Sequence, residues 1–451
     1  MDIEKIETLQ ETLPSKSEIN RKVAVMILPI TIEGILEMIS GIINMGMIGR
    51  IDVFAVSALG IGIQIMELVW ALLKGISMGE TVFVARYYGA GDKKRMLSVM
   101  QQTIFSVMVV ALLTLAVVFI GARQILCIYS PKPEIMELAL TYLRTICFGF
   151  PFLAIMLAVA GAFQGMGNAH TPMIIAAIMN VVNIAVGYTL IFGRFGFQPM
   201  GVRGAAIATA SSQAVAAILG LIIMFRKKGI LRGYLNRKFF SVNIKELLDI
   251  YRVGIQSAAE TIFWIMAGII VARAIMTFGE TAFAAYQLGV QAESISYMPA
   301  AGFGIAATAF IGQSLGAGNP KLAKLYMKQI MKEAMIITGV SVTLLLLIPR
   351  SIMSLLTNNM EVVKLGAIYL IMAGMVQIPQ NAAGVFGGAM KGAGFARMPM
   401  LAAAVGIWGI RVPFTLIITY IIRLPVFAIW AAIDIDLVCR FILCFIFIRK
   451  Y

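Results

Sequence analysis

Long apolar segments recur from one end of the chain to the other, and they limit the fold more than any other feature. Each is about 20 residues long, which is the length of a helix that crosses the hydrocarbon core of a bilayer. Hydrophobic residues form 60% of the 451 residues and charged residues only 13%, so no segment can supply the polar surface of a soluble domain. The sequence therefore predicts an all-α membrane protein.

These segments predict twelve transmembrane helices. Ser15 lies just before the first of them with Glu18 three residues later, which is the spacing of a helix-capping box rather than of a signal peptide. The expected helices cover residues 23–48, 56–83, 97–121, 136–162, 170–193, 202–225, 250–277, 282–310, 327–348, 363–388, 399–421 and 426–448.

Basic residues near the helix ends indicate the orientation of the chain. They precede the first predicted helix and then occupy every second loop, for example at residues 93–95 and 321–328. Because Lys and Arg concentrate on the cytoplasmic side, we expect a multi-pass inner (plasma) membrane protein with both termini in the cytoplasm. The net charge of +15 reflects this topology and contact with the lipid bilayer. Its dispersal among short loops argues against a nucleic-acid partner.

The two halves of the sequence repeat each other at an offset of 227 residues. This offset places residues 89–91 (GAG) on 316–318 (GAG), Thr81 on Thr308, Gln64 on Gln291, and Glu33 on Glu260. Each repeat contains six predicted helices, which is an even number, so both halves enter the membrane from the same side. The repeat therefore predicts two six-helix lobes related by a pseudo-two-fold axis along the membrane normal.

The repeat also divides the chain into three expected parts. Residues 1–225 form an amino-terminal lobe, residues 226–245 a basic cytoplasmic linker, and residues 246–451 a carboxy-terminal lobe. Lobes related in this way place a ligand cavity between them near the middle of the bilayer. Rocking of the lobes opens such a cavity to the two sides in turn, which is alternating access.

Polar side chains form a stripe on the first predicted helix. At about 100° per residue, these side chains fall on one face, which lipid would not accommodate. Carboxylates in such a place are candidates for function, and the alternative is that Glu37 only pairs with a cation such as Arg144 or Arg411. The residues of the stripe are Glu33, Glu37, Ser40 and Asn44.

Glu260 lies on the seventh predicted helix, in the stretch GIQSAAETIFWIMAGII, after which no other charge occurs before Arg273. A protonated carboxylate is neutral and inexpensive to bury, whereas an ionised one attracts a cation. We therefore predict that Glu33, Glu37, Asn44 and Glu260 bind an exchangeable cation. A proton suits a carboxylate, but the nearby amide and hydroxyl oxygens can also ligate sodium near Glu33 or Glu260, so both ions stay open.

Further polar and aromatic residues are expected to line the substrate cavity. Asn180 and Asn183 share a helix face, and Trp264, one turn beyond Glu260, has the ring needed to stack on a flat cation. The alternative is that the amides only bond neighbouring helices. The predicted set is Asn180, Asn183, Trp264, Gln291, Gln380, Asn381 and Arg411.

Arg411 lies in the middle of a predicted span and therefore needs a carboxylate partner. Asp434, Asp436 and Glu260 are the candidates in the same half of the sequence. Structural pairing with one of them is favoured over contact with a substrate.

Other classes of function are poorly supported. One histidine, His170, and four cysteines without CxxC spacing exclude a histidine-rich metal site, and no cofactor is expected. The sequence contains no GK dipeptide, so it has no Walker A lysine to hold phosphate. It also lacks a cluster of catalytic groups, so no enzyme is expected.

Several motifs together resemble the multidrug and toxic compound extrusion (MATE) family. The resemblance implies a twelve-helix antiporter that exports amphipathic, often cationic, small molecules against an inward flow of protons or sodium ions. We expect the chain to be a monomer. The alternative is a lipid-linked sugar or lipid flippase of the same superfamily, although flippases usually carry more arginine and extra helices. The motifs are MIGRIDVFAVSALG, GETVFVARYYGAGD, GAFQGMGNAHTPM, NVVN, GVRGAAIAT and IWAAI.

The chain also departs from the family pattern at three places. Asn44, Gly187 and Gln380 stand where many or some members have an aspartate. By contrast, Glu260 matches the glutamate in helix 7 of the norfloxacin-exporting branch. The resemblance therefore implies that the usual proton site of the amino-terminal lobe is altered. Because Glu260 is isolated in its helix, matches a family glutamate and has a repeat-related twin, we predict that it is the main coupling carboxylate.

Overall fold

A computed structural model describes residues 14–51, 53–129, 131–226, 229–232 and 243–450. Every regular element within these ranges is helical, which confirms the all-α prediction. Twelve long helices correspond to the twelve predicted segments. They are α1 Lys16–Gly49, α2 Val53–Gly89, α3 Lys93–Cys127, α4 Pro133–Gly165, α5 His170–Phe192, α6 Gly201–Phe225, α7 Ile244–Met276, α8 Glu280–Gly316, α9 Pro320–Leu347, α10 Met360–Gly392, α11 Arg397–Ile422 and α12 Phe427–Lys450.

Most of these helices are longer than the predicted segments, and two are interrupted. A 3₁₀ turn, Cys147–Gly149, divides α4, and α11 contains two π-helical turns, Ile407–Arg411 and Ile417–Ile422. A short helix, Pro349–Leu356, which the sequence analysis did not predict, joins α9 to α10.

Ten of the helices are long and apolar enough to cross a membrane, and α8 also qualifies as a bent pair. α8 bends by 45° near residue 295, one turn before Pro299, whose missing N–H and bulky ring disrupt the preceding turn. α12 is long enough but carries Asp434, Asp436 and Arg440 along its length. α12 is therefore absent from these candidate spans because of its charged residues and not because it is too short.

Side-chain caps fix where several helices begin. The backbone N–H of Glu18 donates to Ser15 Oγ at 3.2 Å, which confirms the predicted cap of α1. Asp92 caps α3 and Asn319 caps α9, each accepting an N–H three residues later at 3.0 Å. Asp92 and Asn319 occupy equivalent places in the sequence repeat.

The repeated GAG motif forms the turn before each of these two caps. Gly91 has φ of 71° and Gly318 has φ of 69°, a left-handed conformation that other residues adopt only with strain. The motif therefore recurs because both turns need a glycine after the helix and an Asp or Asn before the next one.

The chain divides into two compact units. The first, the amino unit, contains Pro29–Tyr87 and Asp92–Ala258, and the second, the carboxy unit, contains the described residues up to Leu28, Tyr88–Gly91 and those from Ala259 onward. These divisions fall within α1, α2 and α7 and in the turn between α2 and α3. The predicted lobes at 1–225 and 246–451 stay a prediction, and most of the predicted linker at 226–245 lies outside the described residues.

The same helix contact recurs inside both units, as the repeat implies. Thr81 Oγ1 of α2 donates to the Gly161 carbonyl of α4 at 3.1 Å, and Thr308 Oγ1 of α8 donates to the Gly388 carbonyl of α10 at 2.9 Å. A Cβ on Gly388 would meet the backbone of Gly304, so glycine is what allows α8 and α10 to approach. The sequence repeat is therefore also a repeat of packing.

Candidate functional site

The polar stripe of α1 (Glu33, Glu37, Ser40 and Asn44) lies in the amino unit. Its carboxy-terminal half, Ser40 and Asn44, forms a network of neutral groups. Asn44 Nδ2 donates to Asn183 Oδ1 at 2.6 Å, and Ser40 Oγ donates to the same oxygen at 3.4 Å. Asn183 in turn donates to Thr209 Oγ1 at 3.2 Å and to Ser212 Oγ at 3.4 Å. The structure therefore brings together Asn44 and Asn183, and it links α1, α5 and α6 through uncharged groups.

Asn44 and Gly187 are two of the three places where many or some family members have an aspartate, and they are neighbours. A Cβ on Gly187 would lie 3.5 Å from Asn44 Oδ1. Asn180, the other predicted amide of α5, is buried, and its Nδ2 has no hydrogen-bond partner among the described residues. Two uncharged residues, Asn44 and Gly187, thus lie next to each other at positions where many family members have aspartates.

Glu33 and Glu37 form the charged half of the stripe. Glu33 is half-buried and Glu37 is exposed. Lys74 of α2 acts electrostatically on both carboxylates. Arg144, one partner suggested for Glu37, lies 5.6 Å from the ring centre of Phe119, and Lys74 is the cation whose charge acts on Glu37.

Glu80 is a buried acid that the sequence analysis missed. Its side chain on α2 is completely buried, and neither carboxylate oxygen has a hydrogen-bond partner within the described ranges. The available signal was one of two glutamates, Glu67 and Glu80, in an otherwise largely apolar helix. The long spacing from the α1 stripe did not connect Glu80 to the predicted site.

Glu260 lies in the carboxy unit and has a partner. Lys391 Nζ of α10 is 2.8 Å from Glu260 Oε2, and both side chains are partly buried, with 15% and 31% of their surfaces exposed. The sequence analysis gave Glu260 no lysine partner and ended the tenth predicted helix at residue 388, before Lys391. The structure corrects both points, because α10 extends to Gly392 and Lys391 contacts Glu260.

The other predicted cavity residues of the carboxy unit have varied surroundings. Trp264 is 43% exposed, and Gln291 is exposed as well. Asn381 is buried and donates to Thr338 Oγ1 of α9 at 2.9 Å, which is a bond between helices. Gln380 Oε1 accepts from Gln377 Nε2 at 3.2 Å.

Arg411 takes part in a buried ion cluster. Its Nε lies 2.8 Å from Asp436 Oδ2, and Arg440 Nε lies 3.0 Å from the other oxygen of the same carboxylate. Asp436 is completely buried. Of the three partners considered from the sequence, the structure thus selects Asp436, and Arg411 reaches it from a π-helical turn of α11.

A second buried carboxylate, Glu293, was not foreseen. Tyr369 OH donates to Glu293 Oε2 at 2.6 Å, and Gln377 Nε2 donates to Glu293 Oε1 at 2.8 Å. Glu293 interrupts an apolar stretch of α8, and this was its only signal in the sequence. The described part of the carboxy unit therefore holds Glu293 in addition to the Glu260–Lys391 pair and the ion cluster around Asp436.

Comparison with known proteins identifies the family. The MatE family model matches residues 29–189 and again residues 257–417, once in each repeat. The chain is 28% identical to the probable multidrug resistance protein NorM of Thermotoga maritima over 94% of this chain and 90% of that protein. It is 25% identical to the multidrug resistance protein PmpM of Pseudomonas aeruginosa over 85% of this chain and 81% of that protein.

Solved structures show the same fold. A crystal structure of MATE in complex with MaD3S superposes with a TM-score of 0.88 at 19% identity, covering 96% of both chains. A MOP superfamily transporter from Pyrococcus furiosus superposes equally well, with a TM-score of 0.88 at 20% identity over 96% of this chain and 95% of that one. The solved MATE structures have twelve helices in two lobes. With both repeats matched by the family model, the chain belongs to the MatE family of transporters and is not an enzyme.

Proposed function

We propose that this transporter exports amphipathic organic cations in exchange for protons or sodium ions, by alternating access. The multidrug-resistance names of its relatives support small-molecule substrates. The basic residues near every second helix junction support an inner-membrane protein with both termini in the cytoplasm. We further propose that it works as a monomer, because each repeat contains its own set of carboxylates.

One observation carries this proposal: the repeat-related carboxylates Glu33 and Glu260 each have a lysine nearby. Lys391 lies 2.8 Å from Glu260, and the charge of Lys74 acts on Glu33. Ionisable residues inside membrane helices are expensive and are seldom kept without a function. Glu260 keeps 31% of its side-chain surface exposed, whereas its Oε2 atom, which contacts Lys391, is buried.

The ion pair at Glu260 suggests how exchange occurs. A proton on Glu260 would neutralise its charge and release Lys391, whereas an organic cation would have to replace Lys391 at the ionised carboxylate. Because proton, lysine and substrate compete for one negative charge, binding of one weakens binding of the others. The same competition applies if sodium is the coupling ion. Exchange of the coupling ion for the substrate is then obligatory, because both bind to the same carboxylate.

The flippase alternative receives less support from the charged residues. A lipid-linked pyrophosphate would require free arginines. Arg411 and Arg440 are both engaged by Asp436 in the carboxy unit. They are therefore not available as a phosphate clamp unless this ion cluster opens.

Transport by the purified protein in proteoliposomes tests the proposal. Vesicles that contain a fluorescent organic cation would be energised by a proton gradient and, separately, by a sodium gradient. We expect transport against the substrate gradient with at least one of the two ions. Glu361→Gln, an exposed acid at the start of α10, serves as a control and should transport normally. Equal substrate movement with and without both gradients would overturn the proposal.

A further inference from the structure

The amino-terminal part of α9 carries a row of lysines along one side. This lysine row consists of Lys321, Lys324, Lys328 and Lys332. At about 100° per residue, the side chains fall within an arc of about 80°, and the row extends about 16 Å along the helix. All of its members are exposed, and none forms an ion pair with another described residue. The row is therefore a strip of concentrated positive charge on the surface of the carboxy unit.

The charge of the lysine row is only partly offset by nearby acids. Its members follow one another at three or four residues, a spacing at which like charges repel and destabilise a helix. Glu333 is acted on by Lys332. Glu18 of α1 acts on Tyr326 of α9, but Glu18 is already bound by Lys22 at 2.9 Å. No ion pair within the described part of the carboxy unit neutralises the rest of the row.

The exposed surface of α9 changes from lysine to apolar at Lys332. Beyond this residue the exposed side chains are mostly apolar, such as Ile336, Val340 and Leu347. α9 is a candidate membrane span of 28 residues, which make a helix of about 42 Å, nearly the thickness of a bilayer with its headgroups. The lysine row therefore lies at the level of the headgroups, and the apolar surface beyond it faces the lipid chains.

The direction of helical side chains brings the ammonium groups of the row together. Cα–Cβ bonds tilt toward the amino terminus of a helix, and a lysine stem near a membrane surface extends toward the headgroups. Lys328 and Lys332, which begin deeper in the membrane, thus reach back toward Lys321 and Lys324. Their positive charges converge at one level, beside the surface that lipid chains cover. A phosphate group at this level would contact several ammonium groups at once.

The equivalent face of the amino unit is built differently. Lys94 of α3 matches Lys321, but the residues that match the other three lysines are Leu97, Gln101 and Phe105. Leu97 and Gln101 are buried, so this face of α3 packs inside its unit, whereas the matching face of α9 is open. The packing of the repeat therefore does not need these lysines, and the complete row is an addition of the carboxy unit.

We propose that the lysine row binds the phosphate headgroup of an anionic phospholipid, whose acyl chains lie along the exposed apolar side chains of α9. Basic clusters beside membrane helices attract anionic lipids, and the adjoining apolar surface favours a lipid over a soluble phosphate. The bound phosphate removes the repulsion within the row. Placing this lipid in the cytoplasmic leaflet rests on the proposed orientation of the chain, whereas its binding does not.

Native mass spectrometry of the full chain in a neutral detergent measures the binding. The delipidated protein would be titrated with phosphatidylglycerol, with phosphatidylcholine, and with glycerol phosphate, which has the headgroup charge but no acyl chains. We expect the first phosphatidylglycerol to bind at least about tenfold more tightly than phosphatidylcholine. Glycerol phosphate should not bind in the same concentration range. Thermal unfolding should show a matching stabilisation by phosphatidylglycerol, because a ligand of the folded state stabilises it.

Matched quadruple variants locate the bound lipid. The row variant combines Lys321→Gln, Lys324→Gln, Lys328→Gln and Lys332→Gln, and it should bind phosphatidylglycerol about tenfold or more weakly. Arg at the same four positions keeps the charge and should keep the binding. The control changes four exposed lysines elsewhere, which removes the same net charge, and it should bind like the wild type. It combines Lys93→Gln, Lys94→Gln, Lys132→Gln and Lys364→Gln.

Three results would overturn the inference. The first is equal affinity for phosphatidylglycerol and phosphatidylcholine, and the second is binding of glycerol phosphate as tight as that of phosphatidylglycerol, which would indicate a soluble anion. Both use only the wild-type chain, so they hold whether or not a variant folds. The third is equal phosphatidylglycerol affinity in the row variant and the control. None of these measurements needs a transported substrate or an ion gradient, so a failure here is distinguishable from a failure of the proposed transport.

Discussion

Glu33 and Glu260 are equivalent residues in the repeat, but their lysines are not. Lys74 corresponds to Ala301 in the second repeat, and Lys391 corresponds to Gln164 in the first. The carboxylates therefore follow the repeat, while each unit has its own counter-charge on a different helix. Such a pattern is expected if the carboxylate is the common functional group and the lysine adjusts how readily its charge can be exchanged.

Replacing Lys391 by Met tests whether the lysine competes with a cationic substrate. The variant leaves Glu260 without its partner, so an organic cation at alkaline pH should bind about tenfold more tightly than to the wild type. Equilibrium binding of a fluorescent cation measures this change. The double variant with Glu260→Gln serves as the control and should lose the gain. Unchanged affinity in Lys391→Met would show that Lys391 does not compete for the site.

Two residues of α1 should differ in their importance. Asn44→Ala removes one hydrogen bond of a neutral network, which contributes about 0.6 to 2 kcal/mol in membrane helices, so efflux should fall only modestly. Glu33→Gln removes an ionisable group and should reduce efflux more. The measurement is drug efflux at equal protein level. The reverse order would indicate that the neutral network, rather than Glu33, binds the exchanged ion.

Glu80 offers a test of stability. A buried carboxylate without partners is costly, so Glu80→Met should leave the melting temperature unchanged or raise it by the equivalent of up to about 2 kcal/mol. Glu137→Gln, at an exposed position on α4, should have no effect. A clear drop in melting temperature for Glu80→Met alone would mean that the acid is stabilised by a group outside the described residues.

At the level of the helices, apolar length and caps made much of the fold predictable. The capping spacing at Ser15 and the GAG turns follow from local chemistry that a sequence displays directly. The helix ends were harder to predict, since several helices continue well beyond the roughly 20 residues needed to cross lipid. α10 has 33 residues, and this extra length is why Lys391 belongs to a helix and reaches Glu260.

The ion clusters could not be predicted because they depend on which helices meet. Asp436 and Arg440 are one turn apart on α12, but Arg411 comes from α11. Glu293 and Tyr369 are 76 residues apart in sequence. A periodic pattern within one helix identifies a polar face, but it does not identify the partner of that face.

The close approach of α8 and α10 can be tested with two glycines on α10. Gly388→Ala would place a Cβ against the backbone of Gly304, whereas Gly384→Ala would meet no atom within 4 Å. We expect Gly388→Ala to lower the melting temperature strongly and to reduce the yield of monodisperse protein. Gly384→Ala should behave like the wild type. Equal stability of the two variants would contradict the tight packing of these helices.

At the scale of the whole molecule, the two repeats share packing but differ in charge. The predicted aspartate positions of the amino unit contain Asn44 and Gly187, which bear no charge, and Asn183 joins three helices there through neutral groups. The carboxy unit instead contains Glu260 with Lys391 and the buried acids around α12. This asymmetry leads us to place the main coupling charge in the carboxy unit, with Glu33 in a supporting role.

Glu260→Gln tests this assignment most directly, because it fixes the neutral form of the side chain while keeping its shape. Transport in proteoliposomes and equilibrium binding of an organic cation would be measured from about pH 5 to about pH 9, with and without sodium. We predict a folded protein that no longer exports the cation on a gradient and whose cation binding loses most of its dependence on pH or sodium. Wild-type transport and binding in this variant would contradict the assignment and transfer the coupling role to Glu33 or Glu37.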